Sequence, residues 1–174
     1  GPFFGQTPNT YFVHHMGMHH KEENLEQDLS STMKYDRDRP LHFLAYWADF
    51  FFLGMFKMSR YFLSKGQKKM VKKMLGGEVG WYLAVIALSF INWQATLVVF
   101  VVPMVLIRFL MMAGNWAQHA FIDPERPEVE YAASITCINC RYNRRAFNDG
   151  YHIGHHVKAS RHWTEMPGDF LDNL

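Results

Sequence analysis

Cysteine is scarce: two in 174 residues, Cys137 and Cys140, joined in a single CINC. A structural zinc site takes four ligands, typically two such pairs or a Cys pair with a His pair. This lone pair is therefore read as two reduced, partly buried thiols. An excess of either charge is also missing. Lysine and arginine total 18 against 16 acidic residues, a formal net charge of +2, so nothing marks nucleic acid as a partner. The opening GPFFGQTPNTYF has neither a basic n-region nor an apolar h-region and is not a signal peptide. No internal repeat or low-complexity tract interrupts the chain.

What the chain does hold is apolar and aromatic in blocks. There are 15 Phe, 8 Tyr and 5 Trp, a density suited to a membrane protein with interfacial anchors. Residues 79 to 114, VGWYLAVIALSFINWQATLVVFVVPMVLIRFLMMAG, carry one formal charge, Arg108. A single span needs about 20 residues, so the block is too long for one simple crossing. Its polar break at Asn92, Trp93 and Gln94 predicts a tight helical hairpin with arms near 76 to 91 and 95 to 113. Pro103 should kink the second arm. One long tilted helix is the alternative. Residues 41 to 63 are apolar but interrupted by Asp49, Lys57 and Arg60, and either span or lie in the interface. The stretch SKGQKKMVKKMLGG, with five lysines between 65 and 73, reads as a solvated loop or as an anchor on anionic headgroups. Residues 21 to 40, KEENLEQDLSSTMKYDRDRP, are too charged for a bilayer interior and are expected in water. DPERPE, 123 to 128, reads as a turn-rich loop.

Ten histidines are present, and seven of them fall into three groups. His15, His19 and His20 form H-x3-HH. His152, His155 and His156 form H-x2-HH. His119 follows the apolar block in NWAQH. On a helix at about 100° per residue, the 152–156 set falls within an arc of roughly 100°, and His15 and His19 lie about 40° apart. His14 points away from His19 by about 140° on the same count. His42 and His162 read as ordinary polar residues. Seven imidazoles exceed the three protein ligands of a catalytic zinc, so two metals sharing the set is the economical account. Soluble di-iron bundles use Glu with Glu-x-x-His pairs, which are not found here. For one shared site, the 15–20 and 152–156 segments must meet on one membrane face. The chain between them must then cross the bilayer an even number of times. A hairpin at 79 to 113, with 41 to 63 in the interface, meets that condition and keeps the lysines on the same face.

H-x3-HH, a membrane hairpin, N-x3-H from Asn115 to His119, then H-x2-HH resembles the second and third histidine boxes of the membrane fatty acid desaturases and related hydroxylases. NDGYHIGHH and RHWTEMP are similar to the third-box region of an acyl-lipid branch. The resemblance implies an all-α, integral-membrane protein with a transmembrane hairpin and a cytosolic helical cap. One partial domain spans 1–174: the second-box region (1–40), an interfacial or membrane helix (41–63), the hairpin (76–113), then N-x3-H and the third box (114–174). The family's first box has no counterpart ahead of His14. The chain is therefore read as a C-terminal portion that starts just before the second box and is inactive alone.

The same resemblance implies two non-haem iron ions held by His15, His19, His20, His119, His152, His155 and His156, with Asn115 holding a water. Such a pair activates O2 for removal of hydrogen from unactivated C–H bonds, which no acid–base pair can do. The substrate would be a fatty acyl lipid or an acyl-CoA. Electrons would come from a cytochrome b5 or ferredoxin type carrier. The location would be the endoplasmic reticulum membrane with the site facing the cytosol, or a plastid or bacterial membrane. Asp149 and Asp123 either accept imidazole N–H groups or are plain loop carboxylates. Arg141, Arg144 and Arg145 meet a headgroup phosphate or an acidic donor, or form a solvated basic loop. Trp163 lines the acyl entrance or anchors at the interface. The rivals are a di-iron lipid or alkyl hydroxylase, a zinc-dependent membrane hydrolase with three histidines, and a membrane protein that binds metal for assembly only.

Overall fold

The computed structural model describes residues 1–123, 125, 126, 129 and 133–173. The DPERPE loop thus lies partly outside the described residues. Among the described residues there are helices and no strands. α1 (Thr10–His14) runs through a π-helical turn (His15–His19) into α2 (His20–Glu22). α3 (Pro40–Ser64) and α4 (Lys68–Thr96) are long, and α5 (Val102–His119) follows a second π turn at Leu97–Val101. α6 (Arg141–Arg145), α7 (His152–Val157) and α8 (Met166–Asp172) complete the chain.

The chain doubles back at Asn92, whose φ of −155° and ψ of 97° interrupt α4. The Asn92 side chain accepts from the Ala95 amide at 3.0 Å and so starts the returning arm. Proof of the reversal is the ion pair of Glu78 with Arg108, 2.8 Å apart across thirty residues of sequence. An uninterrupted helix would hold those positions about 45 Å apart. The most apolar window of this 68–119 stretch has a mean hydropathy of 2.4, yet only 11% of it is buried. Phe90, Ile91 and Trp93 at the tip are 88%, 81% and 60% exposed. A helix this apolar and this bare needs lipid around it. From Lys73 to Asn92 the arm is about 28 Å long, close to the roughly 30 Å of a hydrocarbon core.

Two boundaries differ from the sequence reading. The lysine stretch is helix from Lys68 on rather than a loop, because lysine and methionine are good helix formers and Val71 and Met74 bury against Met58 and Phe62. The second arm continues past 113 to His119, and the irregularity expected at Pro103 sits one turn earlier, in the π turn that ends before Val102. α3 packs its early residues Phe43 and Tyr46 on Phe109 and Trp116 of α5. Its late residues Met58 and Phe62 pack on Val71 and Met74 of α4. Since Glu78 faces Arg108, those two levels coincide, and α3 crosses the base of the hairpin.

The first ten residues are threaded into that base. Thr7 and Thr10 both donate to Glu78 Oε1, the second at 2.7 Å, and Arg108 donates to Thr7 Oγ1 at 3.0 Å. Glycines make room for the passage. A Cβ on Gly77 would lie 1.9 Å from the Pro8 carbonyl oxygen, and one on Gly5, at φ +68°, 2.2 Å from that of Pro103. Gly77→Ala is therefore expected to destabilise by about 3 kcal/mol through overpacking against rigid backbone. Gly76→Ala, with open space around it, should leave the melting temperature in detergent unchanged or slightly raised.

Candidate metal centre

The spacing of the first histidine group decides how its rings are shared. A π turn repeats near five residues, not four, and it occupies His15–His19. His20 therefore comes edge-on to His15, their Nε2 atoms 3.2 Å apart, while His19 turns to a different partner set. At 100° per residue His15 would have paired with His19; the extra residue in H-x3-HH is absorbed by the π turn and reverses that. In α7 the spacing is ordinary. His152 and His156, one turn apart, bring their Nε2 atoms to 3.1 Å, and His155 faces the other way, toward His15 and His20.

Seven imidazoles thus divide into two adjacent groups. His19, His119, His152 and His156 are all buried, with ligand nitrogens within 4.8 Å of one another. His15, His20 and His155 are partly exposed, and their three Nε2 atoms form a triangle with edges of 3.1, 3.1 and 3.2 Å. His119 Nδ1 donates to the Ala133 carbonyl at 2.6 Å, which leaves Nε2 buried without a partner. His19 Nδ1 donates to Asp28 at 2.6 Å, which turns its Nε2 inward.

These observations fit metal. A triangle of imidazole nitrogens cannot satisfy all three edges with N–H···N bonds, since a ring nitrogen either carries a proton and donates or offers its lone pair and accepts, never both. Three nitrogens about 2.1 Å from one ion at near right angles would stand about 3 Å apart. The orphaned His119 Nε2 in the first group calls for the same occupant.

A family model for fatty acid desaturases matches residues 1–168. The chain belongs to the fatty acid desaturase family. No curated protein and no solved structure gives a significant match. Membership brings fatty acyl desaturation or related di-iron chemistry as the functional class, in a membrane protein of a family that uses iron.

Asp28 is the residue beside the candidate site that sequence reasoning missed in this member of the family. It lies in the stretch expected in water, yet it is 2% exposed, and Asn24, Ser30, Ser31 and Thr32 around it are buried too. Asp28 Oδ2 accepts from His19 and from the Asn24 amide at 3.1 Å; Oδ1 accepts from the Ser30 amide and hydroxyl at 2.8 and 2.7 Å. Burial alone would raise its pKa, but His19 and these hydrogen bonds hold it well below the usual carboxylate range. Asn24 and Thr32 reach the His119 carbonyl, tying the loop to the end of α5. The signal was there in D-L-S-S-T, a run of short hydrogen-bonding side chains that favours turns.

The other expected residues have varied surroundings. Asp149 lies 3.6 Å from His152 Nδ1, an electrostatic contact, and accepts from Gln118 at 2.9 Å and from Tyr142. Asp123 is not near an imidazole: it pairs with Arg126 at 2.9 Å and caps the turn at Glu125. Asn115 lines the cavity beside the histidines and donates to Tyr46 Oη at 2.7 Å and the Ser30 carbonyl at 3.1 Å. Arg141, Arg144 and Arg145 are exposed on α6, and Trp163 stacks edge-on with Phe147 nearby. His42 and His162 make local turn contacts and stand outside both groups. His14 is buried against Phe50, also outside both groups. Cys137 is exposed and free; Cys140, half-buried and free, caps α6.

Burial, and then the neighbouring imidazoles, push His15 down to about 2 and His20 to about 4. Such rings are neutral and ready to bind metal at pH 7. In the unfolded chain each would take a proton near its ordinary value of about 6.5. Below that pH the unfolded state binds more protons than the folded one, so stability falls as pH falls. The metal-free protein should melt at a lower temperature near pH 5 than near pH 7.5, and a His20→Gln variant should lose part of that dependence.

Proposed function

We propose that the protein introduces a double bond into a fatty acyl chain, using O2 and two iron ions. The first would be held by His19, His119, His152 and His156, the second by His15, His20 and His155. The observation that carries this reading is the cavity of about 430 Å³ beside both groups, lined by His15, His19, His152 and His155, by the apolar Phe50, Ile107, Leu110, Met111 and Met112, and by Asn115, Gln118, Tyr142 and Asp149. A saturated chain offers no polar handle, so an apolar lining beside metal ligands is what its binding requires. A smaller pocket shares Tyr11, His14, Phe50, Met111 and Met112 with it and adds Phe51, Met55 and Met58, apolar side chains that could receive more of the acyl chain.

When bound, the irons supply the oxidising power that removes hydrogen from an unactivated carbon. The protein's part is to orient, exclude water and fix tautomers. Phe50, Met111 and Met112 hold the methylenes against the histidine wall. Asp28 keeps the His19 proton on Nδ1, and the Ala133 carbonyl does the same for His119. Two hydrogens leave adjacent carbons; one O2, two electrons and two protons are consumed and two waters leave. The exposed Arg141, Arg144 and Arg145 beside the third histidine group support docking of an acidic electron carrier.

Expression of the full-length protein in a desaturase-deficient host, followed by fatty acid profiling, tests the reading. A new alkene is expected, and His155→Ala should abolish it. An alcohol carrying oxygen from O2 would replace desaturation with hydroxylation. The same alkene from the variant would refute the site.

A further inference from the structure

The base of the hairpin carries a basic surface that the reaction does not use. Lys68, Lys69 and Lys72 open α4, all exposed, and form no ion pair among the described residues; Arg60, near the end of α3, is exposed in the same way. Lys65 is taken by Glu22 at 2.6 Å, and Lys73 sits 4.2 Å above the Phe12 ring. Cations in the first turns of a helix oppose its dipole, so the arrangement gains nothing within the helix itself. Its neighbours on the far side are apolar. Leu75, Val79 and Leu83 continue α4 as exposed side chains toward the hairpin tip.

A second, independent feature meets the lysines at the same level. Leu41, Leu44, Phe52, Phe56 and Leu63 of α3 are 46 to 75% exposed, and at helical spacing they fall within an arc of about 120°. α3 crosses the base of the hairpin, so this stripe lies across the hairpin's axis, beside the start of the apolar band. An apolar helix face in that attitude, bordered by unpaired cations, has the composition of an interfacial helix at the headgroup boundary.

We propose that Arg60, Lys68, Lys69 and Lys72 form a contact site for the phosphate groups of anionic phospholipids, with the exposed stripe of α3 seated among the adjoining acyl chains. The occupant is lipid rather than an acidic protein because the cations stand directly between two exposed apolar surfaces. A folded acidic partner would have to reach them past that lipid-facing stripe. Each lysine near an anionic surface contributes roughly fivefold in affinity, and the contact should weaken with salt.

The test uses the purified protein in neutral detergent, titrated by native mass spectrometry with phosphatidylglycerol or with phosphatidylcholine. Phosphatidylglycerol is expected to bind at least tenfold more tightly. The variant Lys68→Gln/Lys69→Gln/Lys72→Gln should lose most of that preference while melting like the parent. Arg141→Gln/Arg144→Gln/Arg145→Gln should retain it. Equal binding of the two lipids by the parent, or an undiminished preference in the lysine variant, overturns the proposal. Equal lipid binding together with lysine-dependent capture of an acidic carrier protein overturns it in favour of a protein docking surface. None of these outcomes depends on the metal centre or on the desaturation reading.

Discussion

His119→Ala is expected to release one of the two proposed irons and to abolish product formation. His119 is fully buried at the end of α5, its Nδ1 fixed on the Ala133 carbonyl and its Nε2 left without a protein partner. The alanine removes one of four nitrogens from the more enclosed group and leaves His15, His20 and His155 unaltered. Iron content should therefore fall toward one per chain rather than zero, while helix content by circular dichroism stays the same. Asp28→Asn is the graded companion. It keeps the volume but weakens acceptance of the His19 proton, and loss of such a supporting contact lowers metal affinity about 10- to 100-fold. Equal iron content in His119→Ala and the parent would remove His119 from the site.

Arg108→Met is expected to destabilise the protein by about 3 to 5 kcal/mol, because it leaves the Glu78 carboxylate buried without its cation. Glu78 is 2% exposed, and its Oε2 has no partner even in the intact structure. Thr7 and Thr10 would remain as donors to Oε1, too little for a full charge at this depth. The double variant Glu78→Leu/Arg108→Met should recover most of the loss, since a well-packed apolar pair replaces a buried ion pair at little net cost. Thermal melting in detergent gives both values. The threading of residues 5 to 10 depends on the same carboxylate, so the double variant should also be cleaved faster by protease near its N-terminus.

The elements that decide the site were legible to different degrees. The reversal at Asn92 could be read because a polar triplet in a long apolar run favours a hairpin over one long tilted helix, and the all-helical membrane class came with the resemblance of the histidine pattern. The pairing of His152 with His156 could be read because the two lie one ordinary helical turn apart, whereas the turning of His155 toward His15 and His20 could not. H-x3-HH was harder. The π turn that pairs His15 with His20 is set by where the rings must arrive, not by local propensity, and counting at 100° per residue pairs the wrong two. Asp28 was hidden by composition. Its neighbours Lys21, Glu22, Glu23 and Glu26 suggest a solvated stretch, while burial of its 28–32 segment arises through contacts with His19, with Tyr46 and Asn115, and with the His119 carbonyl, most of them remote in sequence. The threading of Gly5, Thr7 and Pro8 between the arms left no periodic trace for the same reason: its partners, Gly77, Glu78, Pro103 and Arg108, are remote.

The central claim is that three separate segments grip a pair of metals side by side. Mössbauer spectroscopy of the iron-reconstituted, full-length protein, with metal quantification, tests it most directly. Two irons per chain in a magnetically coupled pair are predicted, with the coupling lost in both His119→Ala and His20→Ala. A single uncoupled iron, or tightly held zinc in its place, would contradict the account.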